Sequence, residues 1–169
     1  TIAILFTACG GDDRPSDLPV TMKASAEKTF PSFLAAEGVV QNLEVTFNLT
    51  DFPGVSKYKD WIKDADAPMS NETYIVLKGI GEDEVIELRD VSLSLASNPV
   101  QKFPFPSTTI TGNVEYLADR GTRVDFFQAI MDEIKSKGSS KVVLNYTPGA
   151  DTNTDGKMTI KIEAEFIFN

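Results

Sequence analysis

The chain has 169 residues, with 16 basic and 25 acidic side chains, a net charge of −9, no histidine and a single cysteine. That length suits one domain with a sizeable core, and so acidic a surface repels phosphate backbones, which argues against nucleic acid as a partner. Without histidine there is no Ser-His-Asp or Cys-His nucleophile system and no zinc site built on His, so any chemistry falls to carboxylates, Lys, Tyr, Ser/Thr or an oxygen-bound metal ion.

The first thirteen residues read Thr-Ile-Ala-Ile-Leu-Phe-Thr-Ala-Cys-Gly-Gly-Asp-Asp. Ile2 to Phe6 is apolar but far shorter than the roughly 20 residues a membrane span needs. Thr7 and Ala8 supply the small residues of a signal-peptidase site. The chain opens without Met or a basic segment, so the start of the leader is expected to be missing. Phe6-Thr7-Ala8-Cys9 resembles a bacterial lipobox, with Phe6 in place of the usual Leu. Gly10-Gly11-Asp12-Asp13 resembles the acidic, glycine-rich signal of surface-exposed lipoproteins of the Bacteroidota type. The resemblance covers this segment alone and leaves the family of the globular part open. It implies that residues 1–8 are a signal-peptide remnant and that Cys9 is acylated. It also implies a protein held by lipid in the outer membrane, exposed at the cell surface. Each buried methylene contributes about 0.8 kcal/mol to such an anchor. The alternative is a buried N-terminal strand with Cys9 as a small core residue, which the flanking Gly-Gly-Asp-Asp opposes. With Cys9 given to lipid, no disulfide remains within the domain.

Residues 9–19 then comprise the lipidated cysteine and a tether, whose prolines, glycines and acids offer little to bury. Residues 20–169 form a single domain. The first expected strand covers 20–26. Leu43, Val45, Phe47 and Leu49 alternate with polar residues at the period of a half-buried strand. Residues 56–65 place Tyr58, Trp61, Ile62 and Ala65 on one face of a short amphipathic helix. Residues 73–80 are a strand, Gly81-Glu82-Asp83-Glu84 a turn, and 85–88 the return strand of a hairpin. Ile86 and Leu88 lie on one parity and Val91, Leu93 and Leu95 on the other. Arg89-Asp90 is therefore either a β-bulge or a corner between two sheets. The proline-rich stretch 99–106 suits only an edge or a crossing loop, and 108–117 resumes strand character.

The sequence at 122–137 has the marks of a long helix. Thr122 can cap it, Asp125 stands in the first turn, Lys135 and Lys137 in the last, and Gly138 follows. Val124, Phe127, Ile130, Met131 and Ile134 form its apolar stripe. Residues 141–146 and 157–168 read as a final hairpin. Met158, Ile160, Ile162, Ala164, Phe166 and Phe168 face inward in a strand long enough to be central. The expected fold is mainly β: a two-sheet β-sandwich of the Ig-like class, about seven strands, with one long α-helix and one short helix.

Asp151-Thr152-Asn153-Thr154-Asp155-Gly156 matches the opening of a calcium loop, in which oxygens at alternate positions converge and a glycine allows the tight turn. Ile162 stands where the bidentate acid belongs, and the competing reading is a polar turn. Beyond that calcium option no cofactor is expected. Tyr58 with Trp61 could stack on a sugar ring, or dock a helix on a sheet. Phe103 and Phe105, between prolines, could present an apolar edge to a partner, or be buried. Glu82-Asp83-Glu84 lacks a second carboxylate at glycosidase spacing, and Gly79-Ile80-Gly81 precedes no helix that would cradle a phosphate. The leading expectation is a non-enzymatic, membrane-anchored binding module for a glycan or an envelope protein. The alternatives are a structural subunit of an envelope or fimbria-like assembly and a small carboxylate- or calcium-dependent hydrolase.

Overall fold

A computed structural model describes residues 14–81, 85–105, 108–111, 114–118, 122–150, 152–153 and 155–169. In chain order the strands are β1 (Thr21–Thr29), β2 (Leu34–Ala35), β3 (Gln41–Asn48), β4 (Ile62–Asp66), β5 (Ser70–Lys78), β6 (Val85–Leu95), β7 (Asn98–Pro104), β8 (Thr108–Thr111) and β9 (Val114–Ala118). The helix α1 (Thr122–Lys137), then β10 (Ser139–Pro148), β11 (Thr152–Asn153) and β12 (Lys157–Phe168), complete the chain. Two short 3-10 helices, Leu49–Asp51 and Val55–Trp61, lie between β3 and β4.

The strands form a two-sheet sandwich in which every pairing among the described residues is antiparallel. The first sheet runs β1-β12-β5-β9, with β4 also on β12; the second runs β3-β10-β6-β7, with β8 also on β6. These sheets hold five strands each, more than the seven or so expected in total, because two short strands laid end to end share one edge of a long one. On β12, β5 takes residues 157–161 and β4 takes 165–168. On β6, β8 takes 85–88 and β7 takes 92–95. Where β5 and β4 part, the Thr73 hydroxyl replaces a ladder partner and accepts a hydrogen bond from the Glu163 N–H at 2.9 Å.

β12 is central, as its length and alternation require. All six of its inward residues, from Met158 to Phe168, are buried. The core joins both sheets, with Phe47, Phe52, Ile75, Leu77, Leu93, Leu144 and Phe166 at its heart. Phe52 meets Phe166 edge to face, ring centroids 5.3 Å apart, a geometry that adds a little to area burial alone.

The parity change in β6 is a bulge and not a corner. Asn145 faces Ser92 and Thr147 faces Arg89, so β6 carries one residue more than β10 across that step. Asp90 absorbs the excess with a φ of 52°. As a result Ile86, Leu88, Val91, Leu93 and Leu95 are all buried.

α1 spans the interval anticipated for it. Gly138 ends it with a φ of 79°, and its N–H bonds the Ile134 carbonyl at 2.8 Å, the left-handed stop that glycine makes without strain. The buried face includes Phe126 beside Phe127, Ile130, Met131 and Ile134; Phe126 was outside the expected stripe. The Val124 side chain and any cap at Thr122 lie outside what is described. The helix bridges the sheets. Gln128 accepts from the Ala67 N–H at 2.9 Å and donates to the Ala65 carbonyl at 3.1 Å, and Lys135 pairs with Asp64 at 2.8 Å. Toward the second sheet, Glu133 accepts from Ser97 and Ser140, and within the helix from Lys137.

Three local expectations need correction. The segment 56–65 is not one amphipathic α-helix: it divides into the 3-10 helix Val55–Trp61 and strand β4, where Ala65 is wholly buried. Tyr58 breaks helical geometry at φ −114°, ψ 23°. Residues 108–117 are not one strand but β8 and β9, which belong to different sheets. Neither β5–β6 nor β10–β12 is a hairpin, since each pair is split between the two sheets.

Candidate functional site

The strand registers give the sandwich two unlike ends. β1 starts beside the end of β12, pairing Thr21 with Ile167, and the C-terminal Asn169 N–H bonds the Trp61 carbonyl at 3.0 Å. The 3-10 helices, the β6–β7 turn at Ala96-Ser97 and the junction from α1 to β10 lie at this same end, which we call the entry end. At the opposite, loop end, four connections cross from sheet to sheet: β1 to β3, β5 to β6, β8 to β9 and β10 to β12.

The loop end is held by main chain. The crossing that follows β1 lies beside the one that follows β10, and their centres pair as β2 with β11. The Phe33 N–H bonds the Gly156 carbonyl at 3.0 Å, and the Gly38 N–H bonds Pro148 at 2.9 Å. The Gly149 N–H bonds Glu87 at 2.8 Å, fixing the same crossing to β6. Gly79, at φ 79°, lies so close to this crossing that a Cβ there would sit 3.1 Å from the Asp155 carbonyl oxygen. Beneath, Phe30, Phe33 and Tyr146 are wholly buried, and Phe33 meets the Tyr146 ring edge-on at 5.3 Å. The Tyr146 hydroxyl has no hydrogen-bond partner among the described residues, and burial pushes its pKa up. Above, Glu87 and Arg89 pair at 2.8 Å and both are substantially exposed. The Glu87 carboxylate, by hydrogen bond and charge, raises the Arg89 pKa further. Val39, Val40 and Val85 are exposed apolar side chains at this same end.

The sequence-derived candidates fall in different places. Cys9 lies outside the described residues, as do Asp151 and the Glu82-Asp83-Glu84 turn. Of the calcium motif, Asn153 pairs with Leu34 in the β2–β11 bridge, its side chain outside what is described, and Asp155 is exposed. The motif belongs to a crossing between sheets and not to a hairpin tip. Ile162 is wholly buried, and Glu163, on the opposite face, accepts from the Ser70 hydroxyl at 3.1 Å. Among the described residues no group of three or more Asp, Glu, His or Cys is placed to hold a metal ion.

Tyr58 and Trp61 stand at the entry end. Tyr58 is buried, its ring edge-to-face with Phe168 at 5.7 Å, and Trp61 is half-buried against the core. The Tyr58 hydroxyl donates to Asp17 and accepts from Lys57 at 3.1 Å, while Lys57 pairs with Asp17. Hydrogen bonds from Lys57 and Tyr58 hold the Asp17 carboxyl below the ordinary range. Leu18 packs on the core. The domain therefore grips its N-terminal segment at Asp17 and Leu18, inside the stretch read as tether. Phe103 is buried and Phe105 half-buried, 4.9 Å apart between ring centroids, and Phe103 also meets Phe126 at 5.7 Å. This pair joins edge strand β7 to α1.

The sequence contained no signal for the loop end as a unit. Its parts are separated by dozens of residues, and only the pairing of distant strands collects them.

No family model matches the chain, and no curated protein does. Among solved structures, a chain of turnip yellow mosaic virus is similar over 99% of this chain and 88% of its own, at 14% identity and a TM-score of 0.37. A chain of Desmodium yellow mottle tymovirus is similar over 99% and 95%, at 14% identity and a TM-score of 0.34. Likenesses at this level carry no argument about role.

Proposed function

We propose that this chain is a cell-envelope lipoprotein, acylated at Cys9, whose sandwich is a non-catalytic binding module presenting its loop end away from the membrane. The observation that carries the reading is the polarity of the domain. The N-terminal segment docks through Asp17 and Leu18 at one end, and the four crossings gather at the other. A domain held by lipid at Cys9 would hang from its entry end. Residues 9–16 span at most about 29 Å when extended, enough to hold the sandwich clear of lipid headgroups while keeping the entry end nearest them. Loops braced by main-chain bonds on a rigid scaffold are the usual place for recognition, because their side chains can differ without disturbing the fold. Glu87, Arg89, Asp155 and the exposed valines give the loop end both polar and apolar contacts. A glycan or an envelope protein is the ligand class that such a surface suits.

Two experiments test the reading. Mass spectrometry of the protein from its native membrane should find Cys9 as an acylated N-terminus, lost in Cys9→Ser; an unmodified thiol within an uncut leader contradicts the anchor. A glycan and envelope-protein screen with the wild-type chain should give a hit that Arg89→Ala weakens. A hit unaffected by every loop-end substitution contradicts the assignment of the surface.

A further inference from the structure

Among the described residues, each sheet of the sandwich has a strand paired on one side only along the same flank, β1 in the first and β3 in the second. The register of β1 on β12 fixes which of its main-chain groups face outward. The Phe168 N–H bonds the Val20 carbonyl, and the Phe30 N–H bonds the Met158 carbonyl, at the two ends of an unbroken antiparallel register. Even-numbered residues of β1 therefore bond to β12, and Thr21, Lys23, Ser25, Glu27 and Thr29 turn their N–H and C=O groups to the open edge. Among the described residues nothing bonds those groups. The strand is nine residues long, with no proline, glycine or bulge to blunt it.

Its sequence, Thr-Met-Lys-Ala-Ser-Ala-Glu-Lys-Thr, is self-complementary about Ser25. Placed antiparallel on a second copy in that register, Ser25 meets Ser25, Lys23 meets Glu27 twice, Ala24 meets Ala26, and Thr21 meets Thr29. All five outward-facing residues then become hydrogen-bonded pairs. The side chains of Lys23 and Glu27 lie exposed on the outer face of the sheet. In the same face Lys23 stands opposite Glu165, Glu27 opposite Lys161, and Lys161 pairs with Glu72 at 2.5 Å. Joining two copies continues this row across the junction: Glu165, Lys23, then the second copy's Glu27, Lys161 and Glu72, with the sign alternating at every step. Opposite charges directly across a strand pair are favourable, and like charges are not.

β3 is not equipped in this way. Its only charge is Glu44, already paired with Lys141 at 3.0 Å. The Asn48 N–H, at its end, is taken by the Asp51 carboxylate at 2.7 Å. Lys28, the remaining charge of β1, is on the inward parity and pairs with Asp51 at 2.8 Å.

We infer that the chain forms a two-fold homodimer by antiparallel pairing of β1 edges about Ser25, with register set by two Lys23–Glu27 pairs. The interface is isologous, the same strand serving both copies, and it makes one continuous sheet of the two first sheets. The pairing sets the entry end of one copy beside the loop end of the other. If the anchor proposed above holds, this suits copies on two facing surfaces better than neighbours on one, but the dimer itself does not depend on the anchor.

Sedimentation velocity of the full chain, in reducing buffer so that Cys9 cannot cross-link, tests this directly. The wild type should show a reversible monomer–dimer equilibrium. Lys23→Glu and Glu27→Lys should each weaken it by about tenfold or more, because each turns two attractive pairs into repulsive ones. An equimolar mixture of the two variants should recover dimer, since opposite charges again face each other at both pairs, and so should the chain carrying both substitutions. Both positions are exposed; each reversal also sets like charges across β1 and β12, so a cooperative thermal melt, even at a lowered midpoint, will show that each variant is folded. A wild type that stays monomeric to about 1 mM overturns the inference. So does a dimer that survives either single reversal, or one whose loss the mixture does not restore.

Discussion

The two ends of the sandwich share main-chain bonds and buried rings, but they differ in how much side-chain bonding is added. At the entry end, fastening by main chain, Leu49 to Gly138 and Asn169 to Trp61 among it, is joined by side chains: Asp17 to Tyr58 and Lys57, Gln128 to the β4 backbone, Lys135 to Asp64, and Glu133 to Ser97, Ser140 and Lys137. At the loop end, main-chain bonds and buried rings do it, through Phe33 to Gly156, Gly38 to Pro148 and Gly149 to Glu87 over Phe30, Phe33 and Tyr146. Polar residues at the two ends are therefore unequally open to change. Substituting an entry-end polar residue removes a structural bond, whereas a loop-end polar side chain can be replaced while the backbone frame beneath it stays.

The largest effect is expected where α1 bridges the two sheets. Phe127→Ala empties the contact between α1 and the core and should cost about 3–5 kcal/mol, read as a lower denaturant midpoint. Next comes a matched pair of loop-end glycines. Gly79→Ala should cost about 1–2 kcal/mol, because φ is 79° and the Asp155 carbonyl leaves no slack. Gly149→Ala should cost under about 1 kcal/mol, since the atoms nearest its Cβ belong to the movable Glu87 side chain. If the two cost the same, the loop end is not the backbone frame described.

Tyr58→Phe should cost about 1 kcal/mol and speed hydrogen exchange near Leu18, because the Asp17 clamp loses its hydroxyl. Tyr146→Phe, at the other end, should be neutral or stabilising within about 1 kcal/mol, since its hydroxyl bonds nothing among the described residues. The entry end should also respond to acid. Burial alone would raise the Glu133 carboxyl, but hydrogen bonds from Lys137, Ser97 and Ser140 outweigh it and hold the pKa below the ordinary value of 4.5. A carboxyl depressed in the folded state stabilises the fold above its unfolded pKa, and that contribution is lost as pH falls through the folded value. Glu133→Gln should therefore be less stable than wild type at pH 7, with the gap closing below about pH 4.5.

Much of the fold was legible because it follows from local pattern. The alternation of β12 marked a strand flanked on both sides, the parity slip at Arg89-Asp90 marked a bulge or a corner, and the prolines of 99–106 marked an edge or a crossing loop; strand registers resolve these to a bulge and the edge strand β7. Gly138 and the spacing of Phe127, Ile130, Met131 and Ile134 marked α1. What failed were statements about partners. Turn residues near Gly81 and near Gly156 announce a reversal of direction, but they do not say whether the next strand joins its predecessor's sheet or the facing one. Tyr58 and Trp61 are three apart, a spacing that a 3-10 helix meets as well as an α-helix. The symmetry of Lys23 and Glu27 about Ser25 was present in the sequence, but it means nothing until β1 is known to be an edge.

The central claim, that the loop end faces outward from an anchored entry end, is tested most directly by labelling intact cells with a bulky, membrane-impermeant maleimide. Asp155→Cys samples the loop end and Asp60→Cys the entry end, and both native side chains are exposed. Position 155 should label rapidly and position 60 markedly more slowly, with equal rates once the protein is extracted in detergent. No labelling at position 155 until the cells are lysed would contradict it.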